Sequence, residues 1–540
     1  MLGVMMDMSR NGVMKLGELK KFASILAKFG YNCIQLYTED TYEVEGEPYF
    51  GYMRGRYTKA ELREFDAYCA SLNIELMPCI QTLAHTGSLF RWGKYRDIHD
   101  INDIMLIGEE KTYAFLDKLF ATAAETFTSR RINIGMDEAH MVGLGKYLDK
   151  HGYRDRFSLL NEHLQKVIAI ANKYGFHPMM WSDMYFRLAN NGQYYGEKYD
   201  GDVVMPQEVI DSVPKDVDLI YWDYYSYNDT CVPRMLDKHA LFKNKTVFAG
   251  GAWCWKGFVP DNKFTLNRMM LPAIKECKKK NIEDMIVTLW GDNGKECSFY
   301  AVLPSLYRIA KEWLKNNDET LDEIALKKEF NSMTGANFDD MMTLDDADYV
   351  DGAIEHETPS KYMLYNDVFQ GIYDSTVRGD ESEYYKKLKE KHAHNAARNG
   401  EYGYLFNVQE KLCAVLEDKF CVGVKLRKAY QNKDREELIR SLAILQGLPK
   451  KVKDFYLAVK VMWSKENKPF GFEVQQHRLG GLIFRIDECA EKLEKYLSGD
   501  IESIDELETE LLDVTGNEKL FNQKPIHDSC WSGIISVSRI

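Results

Sequence analysis

The sequence predicts an α/β fold, a (β/α)8 TIM barrel followed by an α-helical C-terminal domain. Eight short apolar segments recur through residues 1–290, and several of the intervals between them carry helical periodicity. Beyond about residue 325 the strand-like runs vanish and long charged segments of helical pattern take over. The expected division is a catalytic barrel over 1–322 and a helical domain over 323–540.

The eight expected strands are 3–8, 33–37, 74–80, 132–136, 177–181, 219–224, 247–252 and 285–290, each a short apolar run of the kind buried on both faces. Between them, Leu19, Phe22, Ala23 and Leu26, and again Leu62, Phe65, Cys69 and Leu72, recur at helical spacing. In the second half, 383–397, 409–430 and 435–462 read as helices. Lys468-Pro469-Phe470-Gly471-Phe472 and Arg478-Leu479-Gly480-Gly481-Leu482 read as Gly-rich interruptions. Closure of the pocket by this domain through Trp463, Phe470 or Arg478, across a homodimer, is a further expectation.

A net charge of −13 over 540 residues, with both signs mixed, argues against nucleic acid or an anionic membrane as partner. The 11 cysteines are odd in number and contain no C-x-x-C, which fits a reducing compartment. Residues 1–7 lack a basic n-region, and no apolar run reaches the roughly 18 residues of a membrane span, so a cytoplasmic protein is expected.

Each expected strand ends in polar or aromatic residues: Asp7 to Asn11, Tyr37 to Asp40, Gln81 to His85, Asp137-Glu138, Trp181 to Asp183, Trp222 to Tyr225, Trp253 to Trp255 and Trp290 to Asn293. The carboxyl ends of barrel strands face one mouth, so these clusters should converge. Tryptophan faces suit the C–H face of a sugar ring, and carboxylates with arginine suit its hydroxyls. The adjacent acids Asp137 and Glu138 are the chemical signal. Burial can split two such pKa values, leaving one group charged and the other protonated. Glycoside cleavage usually needs two carboxyl groups that straddle the bond, which neighbours in an extended chain cannot do. They can share the work if the nucleophile comes from the substrate.

Ile134-Gly135-Met136-Asp137-Glu138, with Arg10 after the first strand, His85 after the third and Trp290-Gly291-Asp292 after the eighth, resembles glycoside hydrolase family 20, the β-N-acetylhexosaminidases. Within it the resemblance is to the bacterial branch with a helical C-terminal domain. It implies a retaining, substrate-assisted mechanism in which the 2-acetamido oxygen attacks C1. Asp137 would orient the acetamido group and stabilise the oxazolinium, and Glu138 would be the general acid and base. By the same resemblance Arg10 would hold the hydroxyls at C3 and C4, and Asp292 those at C4 and C6, where many members carry Glu. His85 with Asp40 would form a relay behind the acid. Trp181, Trp253 and Trp290 would wall the acetamide and sugar. Tyr225 would bind the acetamide carbonyl, with Tyr221, Tyr224 and Tyr227 as alternatives. Relatives usually carry a small α/β domain ahead of the barrel, whereas here the first strand begins within three residues of Met1.

The expected activity is that of an exo-β-N-acetylhexosaminidase acting on small oligosaccharides or glycoconjugates with terminal GlcNAc or GalNAc. The alternatives are a β-glucosaminidase or modified amino-sugar hydrolase of the same fold, and a non-catalytic sugar-binding barrel. No cofactor and no metal are expected. His392-Ala393-His394 faces two ways in a helix, and no dinucleotide fingerprint, P-loop or G-x-S-x-G elbow is present.

Overall fold

The computed structural model describes residues 1–189, 203–226, 230–316, 318–350, 352, 356–516 and 524–538. It resolves into two compact units: Met1–Ala252 with Thr265–Trp290 and Ser305–Thr320, and Trp253–Phe264 with Gly291–Pro304 and Leu321–Ile540. The segments that follow the seventh and eighth strands thus group with the helical half.

The first unit is a closed barrel of eight parallel strands in sequence order: β1 (Leu2–Asp7), β2 (Cys33–Tyr37), β3 (Glu75–Cys79), β4 (Arg131–Asn133), β5 (His177–Trp181), β6 (Asp218–Trp222), β7 (Thr246–Gly251) and β8 (Asp284–Leu289). Val4 of β1 lies opposite Ile34 of β2 on one side and Val287 of β8 on the other, which closes the ring. Burial on both faces explains why the strands read as apolar runs rather than alternating ones. Helix Leu16–Phe29 buries the Leu19, Phe22, Ala23, Leu26 stripe and stops at Gly30, whose φ of 99° ends the turn in the left-handed region. Helix Lys59–Ser71 starts on a capping box between Thr58 and Glu61 and buries Leu62, Phe65 and Cys69.

A polar layer crosses the barrel interior. Fully buried Gln35 of β2 accepts from Asn133 Nδ2 of β4 at 3.3 Å, and its own amide lies 3.2 Å from the sulfurs of Met77 and Met179. Polar side chains tolerate such a site only when partnered. β4 differs from expectation, because pairing stops at Asn133 although apolar residues continue to Met136. Gly135 and Met136 have φ of 70° and 72°, so the chain leaves the sheet three residues early.

The second unit contains the long helices Glu381–Arg398, Gly403–Lys419, Val422–Gln431, Arg435–Glu466 and Phe472–Ser498. The break at 467–471 is where the Lys-Pro-Phe-Gly sequence falls, but the expected break at Gly480-Gly481 is absent, since one helix runs through both. Two interior glycines cost about 1 kcal/mol each, and burial of Leu479, Leu482 and Ile486 on the same helix offsets that. Trp463, 2% exposed, donates from Nε1 to the Lys468 carbonyl at 2.9 Å, so it holds the helix connection inside this unit. Arg478 is bound by Glu296 at 2.8 Å and by the Asn293 carbonyl, also within the unit. His392 is buried beside Phe406, and burial holds its pKa down at about 4. Ten of the eleven free cysteines are buried, where a thiol packs as a small hydrophobe. Among the described residues no helix is long and apolar enough to cross a membrane.

A buried ion cluster ties the second unit together. Lys256 Nζ reaches Asp261 at 2.7 Å, Asp348 at 3.3 Å and the Glu357 carbonyl at 3.0 Å, with both carboxylates and the ammonium out of solvent. Burial alone would lower the lysine pKa, and the two carboxylates outweigh it and raise it. Lys256→Met should leave two buried carboxylates without their cation and destabilise this unit by roughly 3–5 kcal/mol, measured by urea unfolding. A midpoint unchanged from the parent would contradict this assignment.

Candidate active site

The site is built from the first unit, where the chain leaves β4. Asn133 Oδ1, part of the polar interior layer, accepts the Gly135 N–H at 3.0 Å and starts the turn. Gly135, Met136 and Glu138 all sit at positive φ, the last at 51°. Asp137 and Glu138 therefore do not extend the strand, and the alternation that would send them to opposite sides does not apply. Both reach one imidazole: His85 Nε2 lies 3.1 Å from Asp137 Oδ2 and 3.6 Å from Glu138 Oε2. Gly135 cannot be replaced without displacement, because a Cβ there would come within 2.0 Å of Gln81 Oε1.

Gln81, at the end of β3, is the hinge of the polar network. Its Nε2 donates to Asp137 Oδ1 at 3.0 Å and to the Tyr37 hydroxyl at 3.0 Å. Tyr37 in turn donates to Glu39 Oε1 at 2.9 Å, and Glu39 lies 3.7 Å from Arg10 Nη2. Arg10 is also bound to Asp7 at 3.1 Å, with its guanidinium 4.8 Å from the Trp290 ring and 5.0 Å from the Tyr37 ring. Asp7 has a second task, accepting from the Ser9 N–H and hydroxyl, both at 2.8 Å. The planar guanidinium is thus tied at two of its nitrogens by carboxylates and packed against two adjoining rings.

The two acids experience opposite fields. Burial would raise the Asp137 pKa, but His85 as a cation, with hydrogen bonds from His85 and Gln81, outweighs burial and holds the carboxyl below its usual range. The reciprocal effect raises His85: burial lowers it, Asp137 more than compensates, and its pKa stands at about 10. Glu138 is raised, first by desolvation and then by Asp183, against the lowering pull of His85 and Arg187. Its side chain keeps 40% exposure, so it remains open to a ligand. One carboxylate held charged beside one biased towards its protonated form is an arrangement that can supply a general acid next to a fixed negative charge.

Two residues of helix Asp183–Ala189, which follows β5, flank Glu138. Asp183 Oδ2 accepts the Glu138 N–H at 3.2 Å and Arg187 Nε at 2.8 Å, and Arg187 Nη2 lies 3.3 Å from Glu138 Oε1. Sequence reading placed Asp183 in a strand-end cluster and gave Arg187 no part. The available signal was their i, i+4 spacing directly after a strand-end tryptophan.

Of the expected sugar-binding residues, Trp181 and Trp290 come together with ring centres 6.1 Å apart, and Trp290 meets Tyr37 edge to face at 4.9 Å. Tyr225 is 49% exposed, whereas Tyr224 is buried and stacked on Trp222 at 5.1 Å. Desolvation raises the Tyr224 phenol strongly, with Thr288 and Trp290 as hydrogen-bonding neighbours and Asp137 close enough to contribute. Tyr224 is thus the more enclosed hydroxyl of the two. Tyr221 is spent on Asp223 at 2.8 Å, and Tyr227 lies outside the described residues. Asp40 does not join His85; it pairs with Arg54 at 2.9 Å, while the His85 main-chain N–H donates to Asp103 Oδ2 at 3.1 Å. Buried Asp40 has the half-buried Arg54 as its ion partner, and the carboxylate nearest His85 Nδ1 is Asp103, with Oδ2 3.9 Å away. Trp253 and Asp292 belong to the second unit. There Trp253, 1% exposed, stacks on Trp255 at 4.7 Å and meets Phe264 edge to face, and Asp292 opens the short turn Asp292–Lys295.

Comparison with known proteins gives two family matches. Residues 3–229 match the catalytic domain of glycosyl hydrolase family 20, and residues 339–525 match the glycoside hydrolase 20C C-terminal domain. A beta-hexosaminidase of Akkermansia muciniphila is 25% identical over 217 residues, and the match spans 33% of this chain and 43% of that protein. Among solved structures, a beta-N-acetylhexosaminidase from Bacteroides fragilis is 17% identical, with 62% of this chain and 69% of that one covered and a TM-score of 0.46. The Flavobacterium johnsoniae chitobiase is 14% identical, with 99% and 77% covered and a TM-score of 0.47. The catalytic-domain match includes the Asp137-Glu138 turn and the second match covers most of the helical half, and with both in hand the chain belongs to glycoside hydrolase family 20.

Proposed function

We propose that this protein is an exo-acting β-N-acetylhexosaminidase that releases terminal N-acetylhexosamine by a retaining, substrate-assisted route. The observation that carries the reading is the divided pair, Asp137 held ionised by His85 and Gln81, and Glu138 raised towards its protonated form. The substrate acetamido oxygen attacks C1 while Glu138 gives its proton to the leaving oxygen. Asp137 faces the acetamido N–H and balances the positive charge that develops on the oxazolinium. Water then attacks C1 from the face the leaving group vacated, with Glu138 taking its proton. Arg10, locked by Asp7 and Glu39, is the donor for ring hydroxyls, and Trp181 and Trp290 supply the apolar wall. Tyr224 takes the place considered for Tyr225 at the acetamide carbonyl.

Two nitrophenyl glycosides test the nucleophile. The N-acetyl-β-glucosaminide should be hydrolysed and the free-amine β-glucosaminide should not, since only the former carries the attacking oxygen; the reverse selectivity would refute the scheme. Asp137→Asn should lower kcat by about 10²–10³-fold with both good and poor leaving groups. Glu138→Gln should cost about 10²–10⁴-fold with an alkyl leaving group and far less with a nitrophenol that departs without a proton.

The pH dependence follows from the same fields. Activity needs Asp137 ionised and Glu138 protonated, so kcat/KM rises with pH as Asp137 ionises and falls as Glu138 does. His85→Gln removes the cation that lowers both acids, and both limbs should move to higher pH. In stability, a histidine raised from 6.5 to about 10 contributes fully below pH 6.5 and loses its contribution as pH climbs through 10. The Tm gap between the parent and His85→Gln should therefore close across that window, and a gap constant to pH 10.5 would contradict the ion pair.

A further inference from the structure

We infer that Arg187, anchored by Asp183, is a positioning residue that stabilises the ionised form of Glu138 once its proton has left. The inference rests on the acid role proposed above for Glu138. Three contacts form a closed ring. Asp183 Oδ2 accepts both the Glu138 main-chain N–H at 3.2 Å and Arg187 Nε at 2.8 Å, and Arg187 Nη2 returns to Glu138 Oε1 at 3.3 Å. The guanidinium carbon lies 5.6 Å from the Trp222 ring centre, so a face is held as well as an edge. Asp183 is fully buried and Arg187 only 12% exposed, so this is no solvated surface pair.

The ring matters because Glu138 changes charge during the reaction. As the bond from C1 to the glycosidic oxygen breaks, the bonding electrons stay with that oxygen. The Glu138 proton joins it, the alcohol departs neutral, and a carboxylate remains. Arg187 Nη2 can then make a charge-assisted hydrogen bond to Oε1, stronger than the bond to the protonated acid. Asp183 works in the other sense. Its charge near Glu138 disfavours the carboxylate, so the dyad sets proton affinity from two sides while its main-chain bond holds the left-handed backbone at Glu138. Among the described residues, the other charged or titratable groups around Glu138 are His85, with Asp103 behind it, from the loop after β3, and Asp137 and His140 in its own loop. His140 is held neutral at neutral pH, its pKa lowered to about 4 by burial and by Arg187. The ring from β6 is the uncharged Trp222.

The test is the pH profile of kcat/KM for the parent, Arg187→Met, Arg187→Lys and Asp183→Asn with nitrophenyl and alkyl N-acetyl-β-glucosaminides. Arg187→Met should move the descending limb upward by roughly one pH unit. It should also lower kcat about tenfold more for the alkyl than for the nitrophenyl glycoside. Asp183→Asn should move the same limb downward. Arg187→Lys, which keeps the charge without the planar fork, should restore the limb position but not the full rate. An unmoved limb with equal losses for both leaving groups would reduce Arg187 to a fold-holding residue and overturn the inference. Should Arg187→Met fail to fold, the descending limb of Arg187→Gln, which loses the charge but keeps a hydrogen-bond donor, carries the same decision. If the parent's descending limb instead survives in Glu138→Gln, the acid role of Glu138 fails and the function proposed above falls with it.

Discussion

The charge on Asp137 is the constraint around which the barrel mouth is organised. An ionised carboxylate that is only 7% exposed carries a desolvation penalty of several kcal/mol, and it stays ionised only where cationic and hydrogen-bonding partners are already in place. His85 and Gln81 are those partners, and each is itself held. The His85 main chain is bound to Asp103, and the Gln81 amide is shared with Tyr37. From Tyr37 the chain of contacts runs through Glu39 to Arg10, so the group expected to meet ring hydroxyls and the group expected to face the acetamide are parts of one network.

That network is fed from inside the barrel. Asn133 pairs with Gln35 across the interior layer and also fixes the Gly135 N–H at the start of the turn. A polar layer in a barrel core is costly unless satisfied, and here its function is to aim the turn. A change at Gln35, buried beneath the mouth, would reach the acids through two hydrogen bonds without altering any residue that faces the substrate.

Much of this was legible in the sequence because barrel strands leave a strong trace. All eight segments read as strands are strands, since burial on both faces forces continuous apolar runs at the spacing of a strand and a helix. The acids, Arg10, His85, Trp181 and Trp290 were legible because strand ends collect chemistry. What failed had local causes. The end of β4 was hidden because Ile134 and Met136 are apolar although the backbone turns at Gly135. The Gly480-Gly481 break was misread because packing of neighbouring leucines overrides weak helix propensity. Asp40 was assigned to His85 when its partner is Arg54, because ion-pair partners far apart in the chain leave no mark in spacing, whereas Arg187 went unnoticed although its i, i+4 spacing to Asp183 was legible.

The left-handed turn that carries Asp137 and Glu138 has one more implication. Most acid pairs in barrel enzymes sit on different strands, so their separation breathes with the sheet and can drift as sequences change. Here a single peptide unit joins them, and its bond lengths are not adjustable. Selection on this scaffold can alter how charged each acid is, through residues such as His85 or Asp183, but scarcely how far apart their α-carbons are. That spacing is written into the covalent chain, and the backbone turn with the side-chain rotamers sets where each carboxyl group then points.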